Sequence, residues 1–264
     1  MSWKDAFQYV KSAASNQGIV SAKKERHADD DLPMNARIGA LLKLQTSPFI
    51  RAASCGSLMI MPAQTDMIIK AVSRVRLNLR GDLHRYYLET GDDHAQTEAF
   101  LQVFSDEDRE VSELMYCIRL TRIIPETEDD QRLFTGEGGA GLGEKSYSLW
   151  KEQLADLGYG AAELDAVFGD GESIDYRRDA GGSSMDFVAP FSGTETRVDD
   201  AFGERGLTQK IYFMPYVREI AGGREYLLIT TEIVESRNGD TSKRSIHVDL
   251  MIGLPLEIER VTVQ

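Results

Sequence analysis

Three runs of period-two alternation near the C-terminal end constrain this chain most. They cover residues 209–220, 225–236 and 242–252, and the turn signals Ala221-Gly222-Gly223 and Asn238-Gly239 separate them. Alternation places successive side chains on opposite faces of a pleated strand. Asn-Gly suits a two-residue hairpin, where both turn residues need positive φ. The stretch therefore predicts a β-meander. In its last run Ile246, Val248, Leu250 and Ile252 share one face and are expected to form core with Leu227, Ile229 and Ile233. His247 and Asp249 share the other face, expected to be the wet side of a half-buried strand. A carboxylate beside an imidazole could also orient it for base catalysis or metal ligation, so the pair is a candidate for ligand contact.

The preceding chain is read from its punctuation. Residues 58–61, 66–79, 82–89, 99–104 and 110–124 are rich in branched and aromatic side chains and read as strands, separated by Pro62, Gly81 and Gly91. A mixed apolar segment at 35–44 is expected to stop by Pro48. After Pro125 the character changes: a helical turn at 126–134, five glycines within 136–143, and a helix over 148–157 with Trp150, Leu154 and Leu157 on one side. Residues 167–171 read as a strand end and tight turn. A polar stretch then runs to Gly206 with one apolar island at 187–191, and a last strand follows at 256–263. The fold class expected is β-rich α+β: mainly antiparallel sheets or barrel-like halves, a few short helices and the C-terminal meander. Residues 34–124 and 125–264 are expected as two β-rich subdomains, preceded by a helix and polar linker over 1–33.

That first segment carries Trp3, Phe7 and Val10 on one side of a helical wheel, a candidate partner-binding stripe. It lacks the apolar core of a secretory signal, and no apolar run reaches the roughly 20 residues of a membrane-crossing helix. A cytoplasmic protein is expected, with Cys55, in a loop or strand edge, and Cys117 as reduced, small hydrophobes. The net charge of −13 opposes general binding to nucleic acid. Lys70, Arg74, Arg76, Arg80 and Arg85 form the one basic concentration, a possible anion or acidic-partner patch.

Gly136-Glu137-Gly138-Gly139-Ala140-Gly141 formally fits G-x-G-x-x-G. A helical turn precedes it where a strand is needed, and Glu137 and Glu144 would repel phosphate, so a flexible surface loop is expected. Acidic runs at 105–110 and 126–130 lack calcium-loop spacing. No cofactor or metal is implied.

Asn35-Ala36-Arg37-Ile38-Gly39-Ala40, the 83–89 segment with Phe100-Leu101-Gln102-Val103, the glycine loop, Phe168-Gly169-Asp170-Gly171 and Gly223-Arg224-Glu225-Tyr226-Leu227-Leu228 together resemble the bacterial YjfK-like family (DUF2491), whose function is unknown. The resemblance spans about 35–263. It implies a cytosolic bacterial protein encoded near a phage-shock-type, membrane-remodelling coiled-coil protein and a glutathionylspermidine synthase-like enzyme, and it carries no catalytic residues. Two readings follow. One is a non-enzymatic interaction or accessory protein, with peripheral membrane contact possible, working beside that membrane-associated assembly. The other is a small-ligand binder or enzyme using a pocket between the two β-rich halves.

Overall fold

A computed structural model of the chain describes residues 27–78, 80–90, 98–234 and 245–264. Twelve strands lie among them: β1 Leu41–Leu44, β2 Asp66–Leu77, β3 Asp82–Glu89, β4 Ala99–Ser105, β5 Val111–Ile123, β6 Ser146–Trp150, β7 Ser173–Arg178, β8 Phe191–Val198, β9 Gly206–Ile220, β10 Gly223–Val234, β11 Ser245–Leu256 and β12 Val261–Val263. Four short helices accompany them: α1 Ser47–Ser54, α2 Glu128–Thr135, α3 Lys151–Asp156 and α4 Ala161–Phe168.

All pairings are antiparallel, and the strands run β2-β3-β4-β5-β11-β10-β9 in space. β8 closes the circle by pairing with β9 on one side and β2 on the other. The result is an eight-stranded antiparallel barrel. The early half of β2 continues outward to β1 and β12, and the late half of β9 to β7 and β6. Closure brings β8 hard against β2, where a Cβ on Gly193 would overlap the Arg76 carbonyl oxygen. Gly253 serves the interior similarly, since a side chain there would collide with the Met115 sulfur.

The expected β-meander is present as β9, β10 and β11, with Leu227 opposite Ile252 and Ile229 opposite Leu250. Asn238-Gly239 lies outside the described residues. Which face is wet needs correction. Ile246, Val248, Leu250 and Ile252 point outward yet are buried, because α1, α3, α4 and the strand extensions wrap the barrel. Phe49 of α1, for example, meets Tyr116 of β5 edge to face at 5.2 Å. The opposite face, carrying Asp249, turns into the lumen. An eight-stranded barrel is just wide enough for side chains to fill, so the lumen side of β11 is largely buried, like its wrapped outer side.

Other expectations shift for local reasons. Segments 34–124 and 125–264 do not form separate cores: β2 to β5 come from the first, β8 to β11 from the second, and one barrel needs both. The linker reading of the residues before 34 fails for its last part, since Asp29 and Leu32 are buried and Ala28 N–H donates to the Ala201 carbonyl. The segment before Pro48 ends with β1 at Leu44, and Pro48 stands in the first turn of α1, where a residue has no intrahelical use for an N–H; Cys55 caps that helix. Residues 58–61 form no strand. The helix expected over 148–157 divides into β6 and α3, and Trp150 at the junction is 51% exposed. Val167 and Phe168 end α4, which Gly169 terminates with φ 57°. The glycine loop is anchored: Leu142 is buried and Gly143 N–H donates to the Tyr216 hydroxyl at 3.0 Å.

Candidate functional site

The inward face of the barrel divides by chemistry. Ala71, Tyr87, Phe100, Cys117, Phe213, Leu228 and Met251 form an apolar cluster. Beside it alternation brings in one polar group from each of six strands: Ser73, Arg85, Gln102, Glu195, Gln209 and Thr230, all buried. Burying an ion is costly unless it is paired and hydrogen-bonded. Glu195, with no exposed surface, meets that condition. It accepts from Ser73 Oγ at 2.5 Å, Tyr87 Oη at 2.8 Å, Gln209 Nε2 at 3.2 Å and Arg85 Nη1 at 3.1 Å. Burial alone would raise its pKa, but Arg85 and the three neutral donors outweigh it and hold the carboxyl below the usual range. Arg85 also donates to Thr230 Oγ1 at 3.3 Å and lies over the Phe100 ring at 5.1 Å. Its Nε and the Gln102 Oε1 have no protein partner.

A second group sits farther along the lumen. Arg122 of β5 grips Asp249 with two bonds of 2.6 Å, Nε to Oδ1 and Nη2 to Oδ2. Glu232 of β10 receives only the remaining reach of that guanidinium, 3.5 Å from Nη2. Burial, then repulsion from Asp249 and Glu195, pushes its carboxyl up to about 7. His247 shares a 2.6 Å contact between Nε2 and Ser245 Oγ, and its Nδ1 is unpartnered. Burial and then Arg122 lower its pKa, against Asp249, which raises it. At the same end Arg197 and Arg119 hold Glu98 between them at 3.1 and 3.3 Å, and Arg197 covers Tyr87 at 4.1 Å.

A separate buried carboxylate, Glu225, faces outward and fastens the wrapping layer. It accepts from the Ser57 hydroxyl, Leu58 N–H at 2.7 Å, Tyr176 Oη at 2.6 Å and Arg218 Nε at 2.7 Å. Arg218 reaches on to the Gly56 carbonyl at 2.7 Å.

Of the residues singled out in the sequence, His247 and Asp249 lie in the lumen, but different partners hold them: Ser245 the first, Arg122 the second. Arg74 and Arg76 stand with Lys70 on the exposed side of β2, and the two arginines line one surface cavity that Lys70 does not reach. Arg85, counted with them in sequence, points the opposite way into the barrel. Trp3, Phe7 and Val10 lie outside the described residues. The roles of Glu195, Glu232, Arg122 and Thr230 escaped the sequence reading. One signal was available: Arg85 stands between Leu83 and Tyr87 at a period-two position, hence on their face.

Among the described residues no helix is long and apolar enough to cross a membrane, and no cluster of three metal-ligating side chains occurs. No curated protein and no solved structure matches the chain. A family model described as a protein of unknown function, DUF2491, matches residues 15–262, and the chain belongs to that family.

Proposed function

We propose that this is a non-enzymatic accessory protein of the cytoplasm that acts by contacting a protein partner. The observation that carries the reading is the commitment of two lumen carboxylates to their neighbours: four donors occupy Glu195, and a bidentate arginine occupies Asp249. General acid–base catalysis needs a group within reach of substrate and with a proton or lone pair to use. These two instead tie strands together. The partner suggested by the family resemblance is a phage-shock-type, membrane-associated coiled-coil protein, and the apolar stripe of Trp3, Phe7 and Val10 is the contact proposed for it. Deleting residues 1–12 from the full chain should abolish co-purification with that coiled-coil protein; unchanged recovery would remove the stripe from the account. Full in vivo activity of His247→Ala is expected, and its loss would favour an enzyme.

A further inference from the structure

A cavity of about 730 Å³ lies outside the barrel, between its wall and the incoming segment 27–33. β2 contributes Arg74 and Arg76 from the row of outward, exposed positions. The turn between β4 and β5 adds Arg109, held at φ 64° while Asp106 Oδ1 accepts the N–H groups of Asp108 and Glu110 at 3.0 Å each. The inner wall holds His84 and Ser105, respectively 8% and 2% exposed, and both His84 Nδ1 and Ser105 Oγ are without a hydrogen-bond partner. Buried polar atoms are normally satisfied, so two such atoms lining one cavity beside three arginines call for an explanation.

The roof is held in place. Asp30 accepts from Arg37 Nη1 at 2.6 Å and His27 N–H at 2.8 Å, Arg74 Nη2 donates to the Asp30 carbonyl at 2.7 Å, and Tyr86 Oη donates to the Pro33 carbonyl at 2.8 Å. Of the acidic side chains in the lining, Asp30 is thus engaged with Arg37, while Asp31 and Asp82 complete the wall. Neither Arg76 nor Arg109 forms an ion pair among the described residues.

We propose that this cavity binds a small phosphorylated molecule, with Arg76 and Arg109 on its phosphate oxygens and Ser105 and His84 engaging its buried side. Planar guanidinium groups match phosphate geometry, and three of them from two elements can share several oxygens in a way one carboxylate does not require. This site is independent of the proposed partner contact: a binder of phosphorylated small molecules and an accessory protein can be the same chain.

The test is isothermal titration of the full chain with pyrophosphate and, at matched ionic strength, with malonate. Pyrophosphate is expected to bind and malonate to bind more weakly. The double variant Arg76→Ala/Arg109→Ala should lose about tenfold or more per arginine, while Arg132→Ala on the far helix α2 should leave affinity unchanged. Ser105→Ala removes an already unpartnered hydroxyl, so the fold should persist while pyrophosphate binding weakens. No heat with pyrophosphate, equal affinity in the double variant, or malonate binding as tightly would each overturn the proposal.

Discussion

Glu195 and Glu232 occupy the same lumen, on strands one removed from each other, yet hold their protons differently. Four donors surround the first and keep it ionised. The second shares with Asp249 an arginine whose two short bonds both go to Asp249, and its carboxyl rises to about 7. Burial is similar, so the difference lies in the neighbours: Arg85 and three neutral donors face Glu195, whereas Asp249 and Glu195 repel the charge on Glu232. A carboxylate inside a barrel is an anion when the chain supplies donors and an acid when it does not.

Removing one partner of the saturated pair should have the largest effect. Glu195→Ala leaves Arg85 buried and unpaired and should cost about 3–5 kcal/mol in urea unfolding; a loss below about 1 kcal/mol would mean that the network does not hold the lumen. Next comes Glu232→Gln, whose size depends on pH. The folded pKa lies above the unfolded value, so the native state binds the extra proton between about 4.5 and 7. Stability contributed by that proton is present below this window and is lost as pH rises through it. At pH 8 the variant should therefore be more stable than the parent, by up to about 3 kcal/mol, and near pH 4 the two should converge. Thermal melts at both pH values check this, and a pH-independent difference would break the comparison.

Arg122→Gln should cost about 1–2 kcal/mol, reduced because that side chain is 36% exposed. The same change should move the Glu232 carboxyl further upward in an NMR titration, since Arg122 is one of the groups opposing the rise. Smallest is His247→Ala. With one hydroxyl contact and a half-buried ring, it should shift stability by less than about 1 kcal/mol.

The meander was readable because its determinants are local: alternation and turns lie within a few residues of each other. Parity was readable too, since Ile246, Val248, Leu250 and Ile252 do share one face apart from His247 and Asp249. Their roles as dry and wet faces were not. That assignment depends on whether the sheet closes, and closure rests on β8, an apolar island followed by polar residues that taken alone resembles a loop. Arg85 was legible as a charge but not as a lumen charge, because its partner Glu195 stands 110 residues away. Helices α1 and α4 are 8 residues each, too short for periodicity to separate from a strand end, and packing against the barrel wall specifies them. The phosphate candidate was half visible: Arg74 and Arg76 could be paired on one strand face, whereas Arg109, Ser105 and His84 join them only through the turns of β3 and β4.

The narrow fit at Gly193 reaches into the route by which the chain folds. β8 must thread its register against β2, whose Ser73 precedes Glu195 by 122 positions, so closure is a long-range event with a large loop entropy to overcome. Until it happens, β2 and β9 are bare edges able to recruit another chain. A bulky residue at 193 is therefore expected to raise aggregation during refolding, and light scattering on dilution from urea would record it.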